Sequence, residues 1–132
     1  MTKEEKAIYN KQYQARNRER LLKQKLEWYY SNKVHVRNHR RKMDRKRWYG
    51  LEHDDYLKML EKQNNVCAIC CKPESVVNPS GETKPLSVDH DHATGKVRGL
   101  LCSACNQAIG LFKDDIKTLQ SAILYLEEDG ND

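Results

Sequence analysis

Four of the five cysteines form two Cys-x-x-Cys pairs, Cys67/Cys70 and Cys102/Cys105, with residues 71–101, 31 in all, between them. Each such turn presents two sulfurs on one side of the backbone. Four thiolates satisfy tetrahedral zinc and leave no position open for a substrate. The pairs therefore predict that two distant segments close on one structural zinc ion, with the chain between them held as a loop. Composition makes such a staple necessary. A third of the 132 residues are charged, mean hydropathy is −0.95, and there are only one Phe and two Trp. Any core is small, and small cores depend on a metal, a disulfide or oligomerisation. An odd cysteine count fits a disulfide framework poorly and leaves Cys71 as a spare thiol. With no apolar run of signal-peptide or membrane-spanning length, the expected setting is a reducing cytoplasm, and no membrane partner is expected. Paired redox dithiols are the alternative, but no βαβ pattern surrounds these cysteines.

Charge is divided along the chain. Residues 1–50 carry 16 Lys and Arg against 5 Asp and Glu, a balance of +11, whereas residues 51–132 carry 8 against 14, a balance of −6. An arm this basic seeks a polyanion, and counterion release from DNA is the usual source of its affinity. Arg37, Arg40, Arg41, Lys42, Arg45, Lys46 and Arg47 form its densest stretch. From Lys3 to about Tyr49 there is no Pro or Gly, which predicts extended helix. Its apolar positions are sparse and no heptad continues through them, so the arm cannot fold around a core of its own. The chain thus divides into a basic helical arm, 1–49, and a zinc-stabilised domain, 50–132. A solvated charged helix without a partner is the blander alternative for the arm.

After Gly50, Asp54 or Asp55 is expected to cap a helix to about Gln63, with Tyr56, Leu57 and Leu60 on its buried side. The stretch KPESVVNPSGETKP reads as loop. Leu86–His90 and Val97–Leu101 flank DHATGK as two strands of a hairpin, and Cys102 to about Phe112 reads as helix. Asp114 and Asp115 can cap a last helix, whose stripe of Ile116, Leu119, Ile123 and Leu126 is expected to be core, with Gly130 as its stop.

Between the cysteine pairs lies VDHDH, two carboxylates and two imidazoles in four consecutive residues at a strand end. Strand alternation puts Asp89 and Asp91 on one side and His90 and His92 on the other, unless the turn breaks it after His90. Closure of the zinc site brings the start of the following helix, and with it the amide oxygen of Asn106, towards Asp89. A carboxylate and a neutral oxygen suit Mg²⁺, which prefers oxygen ligands, keeps waters and accepts a substrate phosphate.

CAIC, VDHDH and GKVRGLLCSACN, in this order and with the tail that follows, resemble the phage recombination endonuclease VII group of HNH nucleases, over about Tyr49 to Leu126. The resemblance implies an α+β fold: a small ββα-metal domain with a four-cysteine zinc site, preceded by the basic helical arm and followed by a C-terminal helix. It also implies a phage-encoded DNA endonuclease in the host cytoplasm. Asp89 and Asn106 would bind catalytic Mg²⁺, with Mn²⁺ as a substitute. His90 would be the general base, and His92 would contact phosphate or support the site. The chemistry is consistent with these roles: a neutral imidazole accepts the proton of an attacking water, and a metal neutralises charge at phosphorus, leaving 5′-phosphate and 3′-hydroxyl ends. Arg98, one strand over, is a candidate to steady a DNA phosphate. One difference is that the turn after Asn106 reads Gln107, Ala108, Ile109, Gly110, with no carboxylate where the best-known member of the family has one. That weakens the case for junction resolution in particular.

Two rival readings remain. A non-catalytic zinc-knuckle DNA-binding protein would have the same arm and cysteines but no need for Asp89, His90 and Asn106 together. A zinc hydrolase with histidine ligands is disfavoured, because His90 and His92 are accompanied by no HExxH and no third histidine. His35, His39 and His53 are expected to be exposed or phosphate-facing. Monomer and homodimer are both compatible with the sequence.

Overall fold

The computed structural model describes residues 1–128. It contains five helices and a two-stranded antiparallel sheet, an α+β arrangement. The chain divides into two compact units, Met1–Met43 and Asp44–Asp132. Among the described residues no helix is long and apolar enough to cross a membrane.

The expected arm helix is present as α1 (Lys3–Arg16) and α2 (Arg18–Tyr49). Helix α1 starts with a capping box, in which the Glu5 amide donates to Thr2 Oγ1 (3.2 Å) and the Thr2 amide to Glu5 Oε2 (2.7 Å). Neither helix buries a residue, as expected of a segment whose apolar positions are too sparse to make a face.

In the second unit α3 spans His53–Lys62. Its cap corrects the sequence expectation: Glu52 is the N-cap, without a side-chain hydrogen bond, and Asp54 and Asp55 lie in the first turn, where they face the positive end of the helix dipole. The buried face is shifted as well. Tyr56 is buried and Met59 and Leu60 are half-buried, but Leu57 is 47% exposed. The Tyr56 hydroxyl donates to the Leu86 carbonyl (2.8 Å), which satisfies its polar end inside the core.

Strands β1 (Ser87–His90) and β2 (Val97–Leu101) form the hairpin. Ser87 faces Leu101, Val88 faces Leu100 and Asp89 faces Gly99, after which a bulge shifts the register so that His90 faces Val97. Asp91 shapes the tip by accepting from the amides of Ala93 (2.8 Å) and Thr94 (2.9 Å), and Gly95 supplies the left-handed residue (φ 73°) that returns the chain. Strand β2 is covered on both sides and buries Gly99, Leu100 and Leu101 in a row. On one side the Gln63 side chain acts as a short third strand. Its Oε1 accepts from the Leu100 amide (2.9 Å), and its Nε2 donates to the Leu100 carbonyl (2.9 Å).

Helix α4 (Ser103–Leu111) packs on both strands, and Cys102 is its N-cap. The loop before the hairpin is tied to this helix by Glu74. One of its oxygens accepts from the Ser103 amide (2.7 Å) and hydroxyl (2.8 Å), and the other from the Ser75 and Val76 amides (2.9 Å each). The core is small, as composition required: Tyr56, Cys67, Leu86, Val88, Leu100, Leu101 and Cys102.

Helix α5 (Ile116–Glu128) departs from expectation. Its stripe is not core, because Ile116 is 69% exposed, Ile123 56% and Leu126 70%, with only Leu119 half-buried. Periodicity makes an apolar face but does not supply a surface to cover it. Asp115 caps the helix, accepting from the Thr118 amide (3.1 Å) and hydroxyl, whereas Asp114 turns elsewhere. The proposed stop at Gly130 lies outside the described residues.

Candidate metal centre and active site

The Sγ atoms of Cys67, Cys70, Cys102 and Cys105 all lie within 4.8 Å of one another, with Cys70 and Cys102 3.8 Å apart. Four ligands at a Zn–S distance of about 2.3 Å in a tetrahedron are separated by roughly 3.8 Å. The cluster therefore has the dimensions of a four-thiolate site and could hold a metal such as zinc. Its amides also favour thiolate: Ile69 N–H points at Cys67 Sγ (3.4 Å) and Cys105 N–H at Cys102 Sγ (3.5 Å). Burial pushes the Cys67 thiol up, but the amides of Cys70, Cys102 and Ile69 outweigh it and bring it down to about 6. Burial, together with the neighbouring sulfurs, pushes Cys105 up to about 12. Thiols this close oppose one another's ionisation, and a divalent cation supplies the charge that lets all four ionise. Cys71 is exposed, has a left-handed backbone (φ 55°) and lies outside the cluster.

This cluster joins the Cys67–Cys70 turn to the end of β2 and the start of α4, so the chemistry-bearing residues between the two pairs sit on a clamped frame. Asp89 on β1 is buried, at 8% exposure. Burial of a carboxylate requires a partner, and Arg98 provides it: Nε donates to one Asp89 oxygen (2.7 Å) and an NH2 group to the other (2.9 Å). Arg98 is the residue left over where the register shifts between Asp89/Gly99 and His90/Val97, and a bulge re-aims a side chain in this way. The two-oxygen contact holds the Arg98 guanidinium further into its charged form than usual. Sequence reasoning placed Arg98 near phosphate but did not foresee this ion pair.

His90 and His92 come together, with ring centroids 4.7 Å apart, and the Tyr49 ring lies 5.0 Å from His90. Alternation ends after His90, where Asp91 leaves the strand to make the tip turn; its two amide donors hold its carboxyl below the usual range. Asn106 is half-buried one turn into α4, and no hydrogen bond joins its amide to Asp89 among the described residues.

Asp114 is the residue that sequence reasoning missed. Read as a helix cap, it instead accepts from His92 Nδ1 (2.9 Å) and from an Arg98 NH2 group (3.3 Å) through the same oxygen. The His92 contact, opposed by burial and aided by Arg98, holds its carboxyl below the usual range. His92, Arg98, Lys113 and Asp114 line part of a cleft of about 640 Å³. No local signal marks Asp114, since its partners are 22 and 16 residues earlier in the chain.

The arm cations Arg37, Arg40, Arg41, Lys42, Arg45, Lys46 and Arg47 all lie on α2. Arg45, expected with the DNA-contacting group, packs inward with its guanidinium 3.9 Å from the centroid of the Tyr56 ring and an NH2 group 3.3 Å from His53 Nδ1. His53 is accordingly half-buried rather than exposed. Lys46 pairs with Glu52 (2.8 Å).

The Gene 59 protein of Mycobacterium phage D29 is 46% identical over 81 residues, which cover 61% of this chain and 46% of that protein. The Gene 59 protein of Mycobacterium phage L5 is 44% identical over 79 residues, 59% of this chain and 44% of that protein. The chain thus spans less than half the length of these relatives. No solved structure matches it. The family profile described as recombination endonuclease VII matches residues 42–128, which include all four clustered cysteines, the VDHDH segment and Asn106. The chain belongs to the recombination endonuclease VII family, a family of nucleases.

Proposed function

We propose that this chain is a Mg²⁺-dependent, phage-encoded DNA endonuclease of the ββα-metal (HNH) type, acting in the host cytoplasm on duplex or branched DNA. The observation that carries the reading is a buried carboxylate, Asp89, whose next residue, His90, has its ring 4.7 Å from that of His92, on a hairpin that runs straight into a four-thiol cluster at the start of α4. A DNA-binding module has no need to combine a buried carboxylate and two histidine rings in contact within four consecutive residues. The succession β1, β2, α4 supports the ββα assignment.

The donor set fits a hard cation. A carboxylate has about four lone-pair sites, and Arg98 takes two of those on Asp89, so each oxygen retains capacity. With the Asn106 amide oxygen it would hold Mg²⁺, for which Mn²⁺ can substitute. When bound there, the ion supplies charge neutralisation at phosphorus and at the departing 3′ oxygen. His90 accepts the proton of the attacking water as its oxygen bonds to phosphorus. The bond from phosphorus to the 3′ oxygen breaks and that oxygen takes a proton from solvent water, leaving 5′-phosphate and 3′-hydroxyl ends. Cys67, Cys70, Cys102 and Cys105 hold structural zinc. The basic segment 1–49 supplies sequence-independent affinity for DNA, and 50–132 carries the chemistry.

The test is incubation of the purified protein with end-labelled linear, nicked and four-way DNA, with Mg²⁺ and with EDTA. Cleavage that requires the metal and leaves 5′-phosphate ends is expected. Binding without cleavage of any of the three would replace this reading with the zinc-knuckle binder.

A further inference from the structure

Asp114 stands in the turn that follows α4. Lys113 and Asp114 are consecutive non-glycine residues in the left-handed region (φ 53° and 54°), a conformation unfavourable for side chains with a β-carbon. The turn closes α4, with the Lys113 and Asp114 amides donating to the Gly110 (2.9 Å) and Ile109 (3.0 Å) carbonyls, as Asn64 and Asn65 close α3, and α5 is capped separately by Asp115. Besides ending the helix, the turn brings the Asp114 carboxylate against His92 of the hairpin tip and Arg98 of β2. Its other oxygen is buried and has no hydrogen-bond partner among the described residues.

An ionised carboxylate only accepts, so the His92 nitrogen facing it must be the one that bears hydrogen. The contact therefore selects one tautomer, with the proton on Nδ1, and frees Nε2. The same Asp114 oxygen takes a donor from Arg98, whose remaining contacts run to Asp89, so one carboxylate steadies two groups that border the cleft. We propose that Asp114 is a positioning residue: it fixes His92 in the Nδ1–H form so that Nε2 meets a phosphate oxygen of the nucleic acid in this cleft, and it holds Arg98 beside it. The phosphate part rests on the nuclease reading, whereas the tautomer part does not.

The experiment has two independent readouts. Long-range ¹H–¹⁵N correlation spectra, recorded well above the ordinary imidazole pKa of about 6.5, report which His92 nitrogen carries hydrogen. Wild type should show Nδ1–H. Asp114→Ala should shift towards Nε2–H, and Asp114→Asn, whose amide oxygen still accepts, should keep Nδ1–H. In cleavage assays Asp114→Ala should lower kcat/KM about 10- to 100-fold, the range expected when a contacting group is misplaced, and Asp114→Asn should recover most of it at equal zinc content. Nε2–H in wild type, or no change of tautomer in Asp114→Ala, overturns the proposal whatever the protein does to DNA. A tautomer shift with unchanged kcat/KM overturns the positioning role. Wild-type protein that shows Nδ1–H but cuts no DNA overturns the nuclease reading and the phosphate contact with it, and leaves the Asp114–His92 pairing standing.

Discussion

His90→Ala removes the proposed proton acceptor and little else. The ring is half-buried and lies outside the buried core, with the Tyr49 ring at 5.0 Å and the His92 ring at 4.7 Å. Aromatic contacts of this kind contribute about 0.5–1.5 kcal/mol, so the variant should remain folded, with its zinc and most of its DNA affinity. The rate should suffer far more. Loss of a general base costs about 10² to 10⁴, equivalent to about 2.7–5.4 kcal/mol in the barrier at 1.36 kcal/mol per decade. The proximity of His92 sets the end of that range: if its imidazole substitutes even poorly, the loss lies near 10², and His90→Ala/His92→Ala should then fall further. Asp89→Ala should be inactive for another reason, weak metal retention, so raised Mg²⁺ or added Mn²⁺ should recover part of its activity. No such rescue is expected for His90→Ala, although higher pH should restore a little by supplying hydroxide. The assay is cleavage rate against metal concentration and pH for wild type and variants, with zinc measured in the same samples. Activity that survives His90→Ala within a few-fold refutes His90 as the base.

Three further outcomes are expected. Purified protein should hold one tightly bound Zn²⁺, and because structural zinc contributes ~10 kcal/mol or more to such domains, Cys102→Ser should unfold the hairpin region; a metal-free preparation of equal stability by thermal melting would contradict the assignment. Deletion of residues 1–43, which spares Arg45 and Tyr49 of the second unit, should weaken DNA binding and flatten its salt dependence, and an unchanged slope would remove that segment from the binding surface. Burial pushes the Glu74 carboxyl up, but its hydrogen bonds from Val76, Ser103 and Ser75 outweigh this and lower it. A depressed carboxylate stabilises the fold above its unfolded pKa and loses that contribution as pH falls through and below the ordinary range. Glu74→Ala should therefore cost about 1–2 kcal/mol at neutral pH, as loss of a helix cap does, and should shrink the acid-induced loss seen in denaturant melts; an acid limb identical to wild type would remove Glu74 from the balance.

The four-cysteine cluster and the family were legible from local spacing. Two Cys-x-x-Cys turns bring their own sulfurs together, and VDHDH sets its acids and imidazoles side by side, so neither motif depends on the rest of the chain for its identity. The helix and hairpin spans were legible too, because Gly50, the proline-rich loop and the DHATGK turn punctuate them chemically. The tertiary structure decided which partner each side chain meets. Arg98 reaches Asp89 because the register slips between Asp89 and His90, a displacement that alternation alone does not encode. Gln63 pairs with Leu100 across 37 residues, and Glu74 with Ser103 across 29; neither has a periodic signature, since a single polar side chain finds its partner only after the chain has closed. The apolar stripe of α5 read as core but is exposed, and Asp114 read as a cap but faces the site. Periodicity and capping preference are properties of one segment, whereas burial and catalytic placement are properties of two, and the second segment is chosen only by the fold.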